Sequence, residues 1–318
     1  APWAGGPAVP AEESVPEEAG LDFTSVYATV NPTVLQSAPV CCVPAERHDN
    51  RDWEPAHIQL VNEMNHIAGE HYNKTPPRDH LNCLFLGDSI VERLRGTRFG
   101  NRSTSLANTK QAFDEIFNAE IEGGSPMTSV ALGISGDSTQ HLLWRLQNGE
   151  LPTGLKCHVA IILIGTNNVY IPPKYNPHNL DFGADDIFEG IKLIINEVHQ
   201  RLPDCCILVL GILPRGFQYD KQGRDSKTMA KIKGINSRLE KYAEKHKSDK
   251  KIYYADCGQI FIDPDNGEIN RALMDDALLH PSYNGYVALL QNLLNHVSNI
   301  LEERANTGKG ALSKYKFV

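Results

Sequence analysis

The sequence predicts an α/β protein, a three-layer α/β/α sandwich built on a mostly parallel sheet of about five strands. Short apolar runs at Cys83–Leu86, Ser129–Leu132, His158–Ile164, Cys206–Leu210 and Ile252–Ala255 have the length of buried strands. Each is followed by polar or helix-period sequence, and strands separated by helices of this length imply right-handed crossovers and parallel pairing. A parallel sheet of this kind is covered on both faces, which accounts for strands that are apolar almost throughout.

Taken in order, residues 1–50 are rich in Pro, Ala, Glu and Gly, lack sustained periodicity, and read as an arm laid along the surface. Residues 51–304 form the single globular domain, and residues 305–318 a tail. A leading helix is expected over Asp52–Tyr72, with Ile58, Val61, Met64 and Ile67 as its apolar face, packed beside the first strand. Further helices are predicted at Asp88–Leu94, Lys110–Ala119, Ser138–Leu146, Asp185–Arg201, Ser226–His246 and Tyr283–Arg304. The alternation shows no internal repeat and no second domain.

A chain of 318 residues, 41% of them apolar, buries a full core, and a formal charge of −8 argues against a nucleic-acid or anionic-membrane surface. No apolar run approaches the roughly 20 residues of a membrane span. Seven cysteines show no metal-type spacing, and Cys83, Cys157, Cys205 and Cys206 lie in or beside strand runs as small hydrophobes. A start at Ala1 without an initiator Met fits removal of an export signal or a trimmed chain. The sequons Asn73-Lys-Thr75 and Asn101-Arg-Ser103 fit a secretory route, so secretion is the expectation and a cytoplasmic location the alternative.

Chemistry concentrates where strands end. The run Leu84-Phe-Leu-Gly-Asp-Ser89 delivers a serine to the carboxyl end of the first strand and the start of a helix. That is the edge where open α/β sheets bind ligands. Alone, Gly-Asp-Ser is weak evidence and reads first as a turn with a helix cap. The second strand leads into Gly133-Ile-Ser-Gly136-Asp-Ser-Thr, a loop small enough to present a backbone N–H, and the third delivers Gly165-Thr-Asn167-Asn168, an amide donor. Before the last helix, Asp275-Asp276-Ala-Leu-Leu-His280 supplies an imidazole. A nucleophile, an oxyanion hole and a general base therefore meet on one edge.

These blocks, in this order, resemble the SGNH (GDSL-type) hydrolases. Gly133–Leu151, Ile162–Asn168 and Gly211–Gly216 are closer still to the catalytic subunits of the type Ib platelet-activating-factor acetylhydrolases, over roughly Leu81–Arg304. The resemblance implies a flavodoxin-like sheet and a serine esterase acting on a small acyl, by expectation acetyl, ester of a lipid or carbohydrate. Ser89 would be the nucleophile and His280 the base, with Ser89 N–H, Gly136 N–H and the Asn167 side chain holding the oxyanion. No metal or organic cofactor is implied, and a homodimer is.

One departure concerns the acid. The family places it three residues before the histidine, where this chain has Ala277; Asp276 is the expected substitute and Asp275 the poorer one. Without an acid, the alternative is a weak or inactive SGNH-fold binding or scaffold protein. A second departure is the Arg98–Lys110 stretch, either a pocket rim or a solvated loop. His141 and Arg145 read as helix packing and partner contacts, and Arg215 as a pocket-mouth or a structural arginine. His158, His178, His199, His246 and His296 lack ligand spacing and read as surface or packing residues.

Overall fold

The computed structural model describes residues 40–48, 50–73, 81–118, 128–171, 181–216 and 226–306. Strands β1 (Leu81–Gly87), β2 (Ser129–Gly133), β3 (Cys157–Leu163), β4 (Cys206–Leu210) and β5 (Ile252–Ala255) form one sheet in the order β2-β1-β3-β4-β5. Every neighbouring pair is parallel, and the register sets Gly87 opposite both Gly133 and Leu163 at the carboxyl end. This is the flavodoxin-like order, whose switch point lies between β1 and β3.

The helices are α1 (Trp53–Asn73), α2 (Ser89–Glu92), α3 (Ala107–Phe117), α4 (Thr139–Arg145), α5 (Thr166–Val169), α6 (Ala184–Arg201), α7 (Ser226–Lys250) and α8 (Tyr283–Asn306). Side chains alternate along each strand, so β1 feeds two cores. Leu84 and Leu86 pack with α1, α4, α6 and α7, while Cys83 and Phe85 pack with α2, α3 and α8. On the second side Phe85 meets the rings of Phe113 and Phe117 edge-on, with centroids 5.3 and 4.9 Å away.

The leading helix forms, but it turns a different face inward. Trp53, Ala56, Leu60, Met64 and Ala68 are buried, whereas Ile58 is 49% exposed. A strict three-residue repeat falls short of the 3.6-residue turn and drifts by about 60° per step, so Ile58 and Ile67 cannot share one seam. The deep insertion of Trp53 chooses the stripe instead.

The helix expected through Leu94 stops at Glu92 and tightens into a 3₁₀ turn over Arg93–Arg95, ending at Gly96 with φ of 72°. The following insertion forms a two-stranded hairpin, Thr97–Arg98 with Asn101–Arg102. Asn101 of the second sequon is exposed there, while the first sequon runs into residues 74–80, outside the described residues. His178, Ala119 and residues 1–39 of the expected arm also lie outside them. The end of that arm is packed: Val40, Cys41 and Arg47 are buried against the domain. All seven cysteines are free thiols, and five of them lie in or beside the sheet. Among the described residues no helix is long and apolar enough to cross a membrane.

Candidate active site

Two glycines bring the strand ends close enough to build the site. A Cβ on Gly87 would lie 2.3 Å from the Leu163 carbonyl oxygen and 2.5 Å from Val91 Cγ2. One on Gly133 would lie 2.3 Å from the Glu92 nitrogen and 2.5 Å from the Asp88 oxygen, so the end of β2 touches the α2 backbone directly. Asp88 caps α2, its Oδ1 accepting from Ile90 N at 2.9 Å, and Ser89 opens the helix.

Ser89 Oγ lies 2.9 Å from His280 Nε2, and His280 Nδ1 lies 2.9 Å from Asp275 Oδ2. The expected acid, Asp276, is exposed and is not the residue that meets the imidazole. The reason is the shape of the loop. Asp275 N donates to His280 O at 2.8 Å and Leu278 N to Asp275 O at 2.8 Å. Asp275 Oδ1 accepts from Leu279 N and His280 N at 3.0 and 3.2 Å. This closed loop folds the carboxylate back onto the ring across five residues and leaves its neighbour pointing out. Leu278, buried with φ of 51°, takes the left-handed conformation that the longer loop needs. Burial alone would push the Asp275 carboxyl up, but the hydrogen bond and charge of His280, with the two backbone N–H donors, hold it at about 2.

Arg93, four residues after Ser89 and thus on the same side of the turn, places NH1 3.6 Å from Asp275 Oδ2. Sequence reasoning passed over it and over Glu92. Glu92 is buried, its Oε2 accepting from Ser135 N and Oγ at 2.7 and 2.6 Å and its Oε1 from Gly100 N at 2.8 Å. It ties the loop after β2 to the inserted hairpin. Two adjacent charges, Glu92 and Arg93, among the apolar Ile90, Val91 and Leu94 of the expected helix were the available signal for both contacts.

Gly136 is buried and has φ of 80°. The carbonyl of the next residue, Asp137, accepts from Asn167 Nδ2 at 2.9 Å, joining the loop after β2 to α5. Asn168 does separate work, accepting from Thr139 N at 3.0 Å and donating to Thr139 Oγ1 at 3.1 Å to hold the start of α4. The amide of Asn167 carries a second N–H beyond the one given to Asp137. Ser89, Asn167 and His280 are each under a tenth exposed.

Arg145 and His141 are not surface partner contacts. Both are fully buried. Arg145 donates to Asp137 Oδ2 at 2.7 Å, Glu150 Oε2 at 2.6 Å and Gly87 O at 2.8 Å, directly behind the turn that carries Ser89. Burial opposes its charge, while Glu150 and Asp137 hold it protonated. His141 Nδ1 accepts from Ser138 N at 2.9 Å, and burial pushes its pKa well down. Arg215 is buried and donates to Thr166 O at 2.6 Å, at the start of α5. The inserted hairpin lines a cavity of about 710 Å³ with Glu63, Arg95 and Phe113, whose lining does not include Ser89 or His280.

A serine hydroxyl, an imidazole and a carboxylate thus lie in line at the carboxyl edge of the parallel sheet. The chain belongs to the GDSL-like lipase/acylhydrolase family, whose model matches residues 85–288, and is a carboxylic ester hydrolase. It is 29% identical to the platelet-activating factor acetylhydrolase IB subunit alpha1 of Bos taurus, over 72% of this chain and 80% of that one. It is 30% identical to the human alpha2 subunit, over 69% and 77%. Among solved structures, an acylhydrolase-described chain from Bacteroides fragilis covers 79% of this chain and 99% of its own, with a TM-score of 0.53 and 18% identity. One from Streptococcus pneumonia, described as a platelet activating factor protein, covers 77% and 94% with a TM-score of 0.52 and 20% identity. These likenesses carry the fold.

Proposed function

We propose that the protein is a serine esterase that removes a small acyl group, by preference acetyl, from a lipid or carbohydrate ester. The observation that carries this reading is the chain Ser89 Oγ to His280 Nε2 to Asp275 Oδ2, with both links at 2.9 Å. Ser89 Oγ attacks the ester carbonyl as His280 Nε2 takes its proton. Asp275 accepts from Nδ1–H, keeping the tautomer that leaves Nε2 free to act and stabilising the imidazolium that forms. Ser89 N–H, Gly136 N–H and the remaining Asn167 N–H receive the developing oxyanion, each worth about 3–4 kcal/mol in comparable sites. His280 then returns its proton to the leaving alcohol, and water repeats the sequence to release the acid.

The acetyl preference is supported by the relatives named as acetylhydrolase subunits. Asp275 supports an enzyme over a scaffold, because the scaffold reading rested on a missing acid. We extend the proposal to a homodimer, on the likeness of the Gly133–Leu151 segment to those subunits, to be checked by sedimentation. The test of function is hydrolysis of short-chain chromogenic esters from acetate to octanoate, with a fluorophosphonate probe as a parallel readout. Turnover that falls with chain length and labelling lost in Ser89→Ala are expected. A wild-type protein that neither hydrolyses nor labels overturns the reading.

A further inference from the structure

The segment before α1 runs along the loop that carries Gly136. Thr139 Oγ1 donates to Cys41 O at 2.9 Å, Ala45 N donates to Gln140 O at 3.2 Å, and Arg47 NH1 donates to Ser135 O at 2.7 Å. Arg47 also lies 3.4 Å from Asp137 Oδ1, and the same oxygen accepts from Trp53 Nε1 at 2.7 Å. Asp137 Oδ2 is held by Arg145 from the opposite side. None of this strap falls within the residues that the family model matches, which begin at 85.

The charges explain why the strap belongs there. Arg47, Arg145, Asp137 and Glu150 have side chains with no solvent exposure, two cations against two anions. His57 closes the far end, its Nδ1 2.9 Å from Glu150 Oε1. A buried carboxylate with both oxygens engaged is a fixed point. Asp137 is that point for the site: its side chain is gripped by Arg47, Trp53 and Arg145, and its carbonyl holds Asn167 Nδ2. Gly136, with its left-handed φ, is set between this anchor and Ser135, whose carbonyl Arg47 holds and whose N–H Glu92 holds.

We infer that Arg47 and Trp53 are positioning residues for ester hydrolysis, and that the Val40–Trp53 strap is a working part of the oxyanion site. This rests on the esterase reading above. The strap reaches no reacting atom; it acts by fixing the Ser135–Gly136 peptide, whose carbonyl Arg47 holds, and, through the Asp137 carbonyl, the Asn167 amide. Oxyanion donors act on the transition state, so loosening them lowers kcat and leaves KM in place.

The experiment is steady-state hydrolysis of a chromogenic acetate by the wild type, Arg47→Met, Arg47→Lys and Trp53→Phe, with thermal melts on each. Expected are a fall in kcat of about tenfold or more for Arg47→Met, a smaller one for Trp53→Phe, and KM changed by less than about twofold in both. Arg47→Lys, which keeps the charge and one donor, recovers part of the loss. Should Arg47→Met fail to fold, the kcat/KM split of Trp53→Phe and Arg47→Lys decides. Wild-type kcat in the folded fraction of these variants, with only the melting point lowered, overturns the inference and leaves the esterase reading intact. A wild type that is inert to ester and probe overturns both.

Discussion

The Ser135–Gln140 loop is held by side chains from distant parts of the chain, while the Asp275–His280 loop is held mainly by itself. The first depends on Glu92, Arg145, Arg47 and Trp53, all reaching in from elsewhere. The second closes through its own backbone and through one carboxylate that serves both the loop and the imidazole. The difference teaches where each half of the site is vulnerable. Damage to the Ser135–Gln140 side spreads through a buried charge cluster, whereas damage to the Asp275–His280 side stays local and falls on Asp275.

Ser89→Ala removes the group both loops serve and is expected to have the largest effect, a fall in kcat on the order of 10⁴-fold or more with loss of fluorophosphonate labelling. Residual turnover near wild type would mean that the loops converge on some other nucleophile.

Asp275→Asn separates the two duties of one side chain. Its carbonyl oxygen still accepts from the loop N–H groups, but its NH₂ cannot accept from Nδ1–H. We expect kcat to fall on the order of 10³–10⁴-fold, with the melting point lowered by several degrees at neutral pH. Asp276→Ala should leave kcat unchanged. Equal losses in the two, measured side by side, would contradict the loop geometry.

Asp88 stands between the loops, buried, with Oδ2 accepting no hydrogen bond. Burial pushes its carboxyl up to about 7, with the Asp137 charge adding and Ile90 N, Arg215 and Arg145 opposing. The folded chain therefore binds a proton between about pH 4 and 7 that the unfolded chain has lost. Stability drops across that window as pH rises, by up to about 4 kcal/mol from this group. Asp88→Asn, an equally good cap, should flatten the profile; urea unfolding at pH 5 and pH 8 measures it.

Asp275 has the opposite sign. Its carboxyl is held near 2, so its contribution, about 2 kcal/mol, is complete above the ordinary carboxylate range and is lost as pH falls through about 2. Acid unfolding of the wild type against Asp275→Asn reads this difference.

The smallest expected fall in kcat is that of Arg93→Met. Arg93 is the distant side chain that reaches the Asp275–His280 loop; it is buried, but its NH1 lies 3.6 Å from a carboxylate that is itself partly exposed, so a fall in kcat of a few-fold is expected. A loss larger than that of Arg47→Met would invert the comparison between the two loops.

Much of this was legible in the chain itself. Continuous apolar runs such as Ile161–Ile164 can be stable only as strands covered on both faces, which dictates the parallel sheet and puts Ser89, Gly136 and Asn167 on one edge. The strand–helix approach that the glycines at 87 and 133 permit appears only in the folded chain. Other features had no local signature. The choice of Asp275 over Asp276 depends on the hydrogen bonds of a closed loop and a left-handed Leu278, and spacing alone favours the wrong neighbour. The inward face of α1 was decided by where Trp53 finds its partner in Asp137, and the roles of Arg47 and Arg145 by which carboxylates share their cavity. Periodicity records burial one element at a time, whereas a buried charge is satisfied only by groups that the folded chain brings from far away, and those only the tertiary structure decides.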